Sequence, residues 1–258
     1  MYILGRTQMI RDAESYEEAI ARILACGFDG VEINLYDSDF QPKKEFFQPG
    51  FGQKIREFLK EKGVQTYSVG AHLDYTESRE RMQNVKDAIR IAHEMGAEVV
   101  IINGAHRRQE EPFRQQWEKQ IDCMKELGQE AEAYQIRLAV EYEPGFVIHN
   151  ADLLLQAMEE AGQSSIGVNA DIGHFFLEEE EPLKAIEKLG PYIVHAHLEN
   201  MAAGVHNHLV PYEGDMDLKA YADKLHETGF HGCASLDVYQ YDYEEIAEKS
   251  IAYLKKYF

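Results

Sequence analysis

Short apolar runs alternate along this chain with longer segments whose apolar residues recur three and four positions apart. The runs are rich in Val and Ile, as buried strands are, whereas the second spacing is typical of amphipathic helices. Reading from "MYIL" at the start to "GCASLDV" at 232–238, the pattern predicts eight strands, each followed by a helix. Three of these strands read "GVEINLY" at 30–36, "EVVIIN" at 98–103 and "IGVNAD" at 166–171.

The predicted helices carry recognisable start and stop signals. Ser15 and Glu18 form a capping box at the first helix, and Asn150 is placed to cap the fifth. Gly96 and Gly162 each follow a helical pattern, where glycine commonly ends a helix. The predicted helices cover roughly 15–27, 50–62, 76–96, 112–134, 150–162, 182–189, a segment that begins at 217, and 243–257.

Apolar residues at consecutive positions indicate strands that are covered on both faces, and strict alternation of strand and helix indicates a parallel sheet. Eight such units in 258 residues fit a closed (β/α)₈ TIM barrel. An open doubly wound sheet is the competing arrangement, but "GRTQMIRD" at 5–12 is not the glycine-rich phosphate loop expected after its first strand. No linker or change of composition interrupts the pattern, so we predict a single domain over 1–258.

Charge and cysteine content narrow the classes of partner. The chain has 46 acidic and 26 basic residues, and the resulting net charge of −20 repels a phosphate backbone, so we do not expect nucleic acid as a partner. Its three cysteines stand far apart and form neither a disulfide framework nor a cysteine metal motif. No apolar run reaches the ~20 residues that cross a bilayer, and the first residues do not resemble a signal sequence. We therefore predict a soluble, cytoplasmic protein without a membrane partner.

Residues that can bind metal stand at or just after the ends of seven predicted strands. In a barrel the C-terminal ends of the strands form one mouth, where the chemistry takes place. Each residue alone has a structural explanation, such as a helix cap, but several carboxylates that face one cavity stay ionised together only around a cation. In chain order the seven residues are Glu32, His72, His106, Glu141, Asp171, His197 and Asp237.

Three carboxylates and one imidazole within this set predict a site for a divalent metal, with Glu141, Asp171, His197 and Asp237 as the ligands. Oxygen-rich donors with one nitrogen favour Mn²⁺, and Mg²⁺, Co²⁺ or Zn²⁺ are the alternatives. His195 stands two positions before His197 and faces the same side of its strand. It either orients a ligand or packs inside the barrel.

Motifs at matching strand ends point to a known family. The chain has Glu141 after strand five, "DIGH" at 171–174, "HAHLEN" at 195–200, "HNHLVPYEGDMD" at 206–217 and "ASLDVY" at 234–239. This series resembles the xylose-isomerase-like barrel superfamily, which contains sugar epimerases, sugar isomerases, inosose-type dehydratases and endonuclease IV-type enzymes. In that family a Glu ends strand five, Asp-x-x-His follows strand six, and His-x-His closes strand seven.

The resemblance implies a divalent-metal-dependent isomerase or epimerase of a small sugar or hydroxy-ketone that works through a metal-stabilised enediolate. Glu141 and Asp237 would act as base and acid from opposite sides of the substrate, and His174 would be a third catalytic residue in contact with substrate oxygens. Dehydration of a keto-sugar uses the same intermediate and is an alternative. The predicted substrate-binding residues are Glu32, His72, His106, His206 and His208.

Two other functions fit the same residues. One is a multinuclear-metal phosphodiester hydrolase of the endonuclease IV type, because several histidines fall near places where such relatives bind further zinc ions; the net charge counts against it. The other is a non-catalytic barrel that binds a metal or a sugar, since Asp237 is one methylene shorter than the Glu of the epimerases. Family members are often dimers or tetramers, so we also expect a homo-oligomer.

Overall fold

Eight parallel strands lie side by side in chain order and close on themselves, because the last strand pairs with the first. This computed structural model describes residues 1–37, 39 and 41–258. The closed ring confirms the predicted TIM barrel. The strands are β1 Tyr2–Arg6, β2 Gly30–Asn34, β3 Thr66–Gly70, β4 Val99–Ile102, β5 Arg137–Val140, β6 Ile166–Asp171, β7 Ile193–Leu198 and β8 Cys233–Leu236.

The described part of the chain has nine α-helices, one more than the sequence predicted. The additional helix, Ile172–Glu178, begins directly after Asp171 at the end of β6 and is seven residues long. Its periodicity could not be read from so short a segment. The helices are α1 Tyr16–Ala25, α2 Phe51–Glu61, α3 Arg79–Met95, α4 Phe113–Ala133, α5 Ala151–Ala161, α6 Ile172–Glu178, α7 Pro182–Leu189, α8 Leu218–Glu227 and α9 Tyr243–Leu254.

The predicted N-caps form where the sequence placed them, but the capping box at α1 is incomplete, because Glu18 Oε2 accepts from the backbone N–H of Glu14 at 2.9 Å instead of from Ser15. Ser15 accepts a hydrogen bond from the backbone N–H of Glu18 at the start of α1, and Asn150 accepts one from Leu153 at the start of α5. Helix α5 ends at Gly162, whose φ of 64° lies in the left-handed region that favours glycine. These local signals explain why the helix boundaries agree with the prediction to within a few residues.

The strands are covered on both faces, but the upper barrel interior is polar. Every residue of β2 and of β6 is buried. Branched apolar residues commonly fill the interior of such barrels. Here Arg6, Glu32, His195 and Ser235 are each at most 1% exposed. This buried polar layer lies directly below the strand ends that carry the predicted site.

Among the described residues, no helix is both long enough and apolar enough to span a bilayer.

Candidate metal centre

Four side chains from neighbouring strand ends converge on one point. His197 Nδ1 lies 3.0 Å from Glu141 Oε2, 3.7 Å from Asp171 Oδ2 and 3.6 Å from Asp237 Oδ2. The sheet register aligns Asp171 directly with His197, which places both at the same height in the barrel. The structure thus places the other three predicted ligands around His197, while each compact cluster of potential ligand atoms among the described residues contains at most two of the four. That the four bind a metal stays a prediction.

The chemistry of this donor set fits a divalent cation. Ligand atoms that share one ion at about 2.1 Å lie roughly 3 to 3.5 Å apart, close to the distances around His197 Nδ1. Among the described residues, His197 Nδ1 and Asp171 Oδ2 are buried polar atoms without a hydrogen-bond partner. Leaving such an atom unsatisfied is unfavourable by about 1–3 kcal/mol, and a cation between them satisfies both.

Glu32 orients the imidazole of His197. His197 Nε2 donates to Glu32 Oε2 at 3.1 Å, which directs the other ring nitrogen, Nδ1, toward the carboxylates. Ser235 Oγ donates to the same Glu32 oxygen at 2.7 Å. Glu32 was predicted to contact substrate, but its side chain is fully buried beneath the four ligands and does not line the cavity. The prediction for Glu32 is therefore corrected to a role in holding His197.

The charges around His197 shift its proton equilibrium. Burial lowers the pKa of His197, but the carboxylates of Glu141 and Glu32 outweigh burial and raise it well above its ordinary value. Burial raises the pKa of Glu141, yet His197 and His72 outweigh burial and lower it. Both shifts favour an ion pair between a protonated His197 and an ionised Glu141 when no metal is bound.

Arg6, at the end of β1, is a functional residue that the sequence analysis missed. Its guanidinium is 1% exposed, its Nε donates to Glu32 Oε1 at 3.0 Å, and its Nη1 donates to Asp237 Oδ1 and to the Tyr239 hydroxyl. Arg6 lies beside the convergence point and does not fill it, because Asp237 Oδ2 still faces His197. The sequence signal for Arg6 is a charged residue at the end of an apolar strand, and a pattern of metal ligands does not include it because a guanidinium does not bind cations.

A second missed residue, Asn169, supports Glu141 from below. Asn169 Nδ2 donates to Glu141 Oε2, and Asn169 Oδ1 pairs with His195 Nδ1 at 2.9 Å. Burial lowers the pKa of His195 to about 3, so this imidazole is neutral and its Nδ1–H donates to Asn169. Of the two roles considered for His195, the structure favours orientation of a ligand through Asn169.

Glu199 is a third residue that the sequence analysis did not single out. Its Oε1 accepts a hydrogen bond of 2.6 Å from the backbone N–H of Gly173. Burial raises the pKa of Glu199 well above its ordinary value, and the nearby carboxylates of Asp171 and Asp237 raise it further. Glu199 therefore adds a neutral carboxyl group, rather than another negative charge, next to the ligands.

Three histidines meet beside the four ligands. His174 Nε2 lies 3.0 Å from His206 Nε2, which lies 2.9 Å from His208 Nε2. His174 Nδ1 is 2.9 Å from the carbonyl oxygen of Tyr142, and His208 Nδ1 is 3.3 Å from that of Asp237. Burial lowers the pKa of His206 to about 4. The predicted substrate-binding residues His206 and His208 are thus in contact with the predicted catalytic residue His174.

A cavity of about 870 Å³ opens above the convergence point. Among the residues that line it are the predicted His72, His106 and Glu141, and Glu143, which was not predicted. His106 lies at the rim, with its ring centroid 4.2 Å from that of Phe146. Asn103 donates to Glu143 at 2.8 Å, and burial raises the pKa of Glu143. The predicted site residues other than Glu32, Asp171 and His197 line this cavity.

Fold and site together define a TIM barrel with a candidate metal centre at the carboxyl ends of its strands. The chain belongs to the xylose isomerase-like TIM barrel family, since a model of that family matches residues 20–257. This membership agrees with the resemblance found in the strand-end motifs.

Curated relatives of this chain act on sugars and related compounds. The chain is similar to fructoselysine 3-epimerase of Shigella flexneri, with 26% identity over 62% of this chain and 59% of the relative. It thus spans about three fifths of the length of that relative. Further curated relatives include a D-psicose 3-epimerase and an inosose dehydratase.

Solved structures share the fold over the whole chain. A D-tagatose 3-epimerase-like protein has a TM-score of 0.85 and 22% identity, and covers 100% of this chain and 97% of its own. A structure of the IOLI protein, which holds a zinc atom, has a TM-score of 0.79 and 18% identity, covering 100% and 99% of the two chains. At these identities the likeness shows the fold, and the site residues stand on their own geometry.

Proposed function

We propose that this protein is a divalent-metal-dependent isomerase or epimerase of a small sugar or hydroxy-ketone. The observation that carries the proposal is the convergence of Glu141, Asp171 and Asp237 on His197 Nδ1 at the base of the cavity. Such a donor set suits Mn²⁺, with Mg²⁺, Co²⁺ or Zn²⁺ as alternatives. The sugar epimerases among the relatives support the substrate class.

A bound cation would polarise the substrate carbonyl and lower the energy of the negative charge that develops on its oxygen. Glu141 lines the cavity, and no donor among the described residues is within hydrogen-bond distance of its Oε1. This oxygen is placed to remove a proton from the carbon next to the carbonyl. His174 and His208 face the same cavity and would bind substrate hydroxyl groups.

Metal analysis and turnover together test the proposal. The purified protein, dialysed against Mn²⁺ and then against metal-free buffer, should retain about one metal per chain by elemental mass spectrometry. It should then convert at least one member of a panel of ketoses and aldoses, and Asp171→Asn should lose the metal. Full metal occupancy with no conversion of any panel member would contradict the proposed reaction.

The three histidines favour a second candidate, a multinuclear-metal phosphodiester hydrolase. A single nitrogen, His206 Nε2, faces both His174 Nε2 and His208 Nε2 within 3.0 Å, and one ring nitrogen cannot pair well with two others. A second cation at this point would satisfy all three. The net charge of −20 is unfavourable for a nucleic-acid substrate. Two or more metals per chain, with cleavage of a phosphodiester such as bis(p-nitrophenyl) phosphate, would favour this candidate over the first.

A further inference from the structure

The two carboxylates proposed to flank the substrate are held in different ways. Glu141 directs Oε2 at His197 Nδ1, 3.0 Å away, and keeps Oε1 free of donors among the described residues. Asp237 directs Oδ2 at the same nitrogen, 3.6 Å away, but its Oδ1 accepts a hydrogen bond from Arg6 Nη1. If one oxygen of each binds metal, Glu141 retains an oxygen for the substrate and Asp237 does not.

Arg6 is fixed in place by several partners. Its Nε donates to Glu32 at 3.0 Å, its Nη1 also reaches the Tyr239 hydroxyl at 3.2 Å, and its backbone N–H donates to the Tyr243 hydroxyl at 3.3 Å. The register of β1 on β2 places Arg6 opposite Glu32. Because the Arg6 side chain is 1% exposed, water cannot replace Asp237 as its hydrogen-bond acceptor, so the ion pair with Asp237 stays formed.

Two titratable groups that line the cavity beside Asp237, His208 and Tyr239, are also engaged. His208 Nδ1 lies 3.3 Å from the carbonyl oxygen of Asp237, and its Nε2 faces His206 Nε2 at 2.9 Å. The Tyr239 hydroxyl oxygen accepts hydrogen bonds from Arg6 Nη1 at 3.2 Å and from Gln8 Nε2 at 3.5 Å. Glu199 clusters with Asp237 and its Oε2 has no hydrogen-bond partner, but Glu199 does not line the cavity. On the Asp237 side, the described residues that line the cavity therefore offer no free carboxylate oxygen.

We propose that Asp237 is a metal ligand only, with Arg6 as the positioning residue that occupies its second oxygen, so that Glu141 alone transfers the proton. This inference rests on the proposed function and narrows it. Inversion at a carbon needs a second group that delivers a proton to the opposite face. A single carboxylate acting on one face supports aldose–ketose isomerisation or dehydration instead of epimerisation.

The isomerisation balances with Glu141 as the sole proton carrier. Glu141 removes the proton from the hydroxyl-bearing carbon next to the carbonyl, and the C–H electron pair becomes the double bond of an enediolate. Glu141 then returns that proton to the former carbonyl carbon, while the neighbouring hydroxyl proton passes to the former carbonyl oxygen. In a dehydration, Glu141 instead gives the proton to the hydroxyl on the next carbon, whose C–O bond breaks to release water.

Product analysis in D₂O tests the reaction class directly. Mn²⁺-loaded protein is incubated with a panel of ketoses and aldoses, and products are assigned by ¹H and ¹³C NMR. The inference expects an aldose–ketose isomer or a dehydrated keto-sugar, with any solvent deuterium on one face of the new C–H centre. A C3 epimer with deuterium at the inverted carbon would overturn the inference and leave the proposed function standing.

A matched pair of variants separates a ligand from a base. Asp237→Asn should bind Mn²⁺ at least ~100-fold more weakly by calorimetry, because losing a direct ligand weakens binding more than losing an outer partner does, and at saturating Mn²⁺ its turnover should be at least about tenfold higher than that of Glu141→Gln. Glu141→Gln should stay at least ~100-fold impaired at the same metal occupancy, measured by Mn²⁺ electron paramagnetic resonance. If metal-saturated Asp237→Asn is as inactive as Glu141→Gln, Asp237 takes part in proton transfer and the inference fails.

Variants of Arg6 test the positioning role. Arg6→Gln should weaken Mn²⁺ binding about 10–100-fold, and Arg6→Lys, which keeps the charge, should recover part of that loss. If Arg6→Gln does not fold by circular dichroism, the Arg6→Lys variant alone must still show weaker Mn²⁺ binding. Unchanged Mn²⁺ affinity in every folded Arg6 variant would overturn the role of Arg6.

The wild-type controls distinguish the inference from the function on which it rests. Wild-type protein that binds no Mn²⁺ or other divalent metal would contradict both, because Asp237 would then have nothing to ligate. Mn²⁺ binding that Asp237→Asn weakens, without turnover of any panel member, would contradict the proposed function and support the ligand role of Asp237.

Discussion

At the scale of single residues, the site is governed by how its negative charge is balanced. Glu32, Glu141, Asp171 and Asp237 are buried carboxyl groups within one small region, and Arg6 pairs with two of them. The negative charge that Arg6 does not balance lies on the carboxylates around His197, where a divalent cation would neutralise it. The predicted metal ligands and the residues that hold them in place therefore form one network.

Glu141→Gln is expected to remove the proposed base while changing the shape of the side chain little. We expect kcat to fall by about 10²–10⁴-fold at saturating Mn²⁺, because an amide cannot accept the substrate proton. Steady-state kinetics with the best substrate of the panel measure the loss. Glu178→Gln, on α6 outside the cavity, is the control and should leave kcat unchanged. A Glu141→Gln enzyme with wild-type kcat would remove the proposed role.

His195 makes stability depend on pH, and the sign follows from its lowered pKa. The folded pKa of about 3 lies below the unfolded value of about 6.5, so the unfolded chain takes up the proton first as pH falls. This part of the stability is complete above about pH 6.5 and is lost as pH falls toward about 3. Between pH 7 and 5, the metal-free wild-type protein should lose roughly 1–2 kcal/mol more unfolding free energy than metal-free His195→Gln does. Urea unfolding at the two pH values measures the difference.

A matched variant controls for histidine loss in general. His231→Gln changes an exposed histidine and should alter the pH dependence of unfolding less than His195→Gln does. Equal pH dependence in wild type and His195→Gln would show that this buried imidazole is not the group responsible.

Sequence reasoning could find the residues proposed to bind a metal but not those that position them. Glu141, Asp171, His197 and Asp237 stand at strand ends, and that position already implies a shared mouth. Asn169 and Arg6 act through side chains on neighbouring strands, so their roles depend on a register that the sequence does not state. Glu32 shows that a strand-end position does not ensure access to the cavity. Its position predicted contact with substrate, but its side chain is buried.

At the scale of elements, helix α6 completes the site although the sequence pattern did not predict it. Asp171 both ends β6 and caps α6, where it accepts a hydrogen bond from the backbone N–H of His174. This cap fixes the first turn of α6 next to the ligands. The second residue of that helix, Gly173, packs so closely that a Cβ there would lie 2.5 Å from Glu199 Oε1.

Gly173→Ala is therefore expected to destabilise the protein and to displace His174. The added methyl group meets Glu199 and Met201, and overpacking of this kind is unfavourable by about 1–3 kcal/mol. Urea unfolding measures the stability. Phe176→Ala tests a half-buried position on the same helix without crowding Glu199. If Gly173→Ala is as stable as wild type, the packing around Gly173 is looser than described.

The elements themselves were largely readable because each unit of this fold has a clear local signal. The eight strands appear as apolar runs, and caps such as Ser15 and Asn150 mark helix starts. Helix α6 was missed because seven residues hold too few turns for a periodic pattern. Eight strand–helix units predicted a closed barrel, and the pairing of β8 with β1 confirms that the ring of strands closes.

At the scale of the whole molecule, metal binding is expected to stabilise the folded barrel. Four ligands from four different strands come together only when the chain is folded, so a cation binds the folded state in preference. At 100 times the Kd, this contributes about 2.7 kcal/mol, or roughly 5–10 °C in Tm. Calorimetry with and without EDTA measures the shift. Asp171→Asn should remove most of it, and a wild-type Tm indifferent to EDTA and to added Mn²⁺ would speak against the site.

Two predictions about the whole molecule, a cytoplasmic location and a homo-oligomeric state, stay predictions. Analytical ultracentrifugation of the purified protein tests the second.

The ion pair between Arg6 and Asp237 joins the first strand of the ring to the last. The ion pair therefore crosses the junction between β8 and β1 at which the barrel closes. During synthesis, the earlier strands can form most of the cavity wall before β8 is complete. The ion pair between Arg6 and Asp237 forms only when β8 pairs with β1. The protein should therefore become competent for catalysis in the same step in which β8 closes the barrel. A probe that responds to Mn²⁺ binding would then report the time at which folding ends.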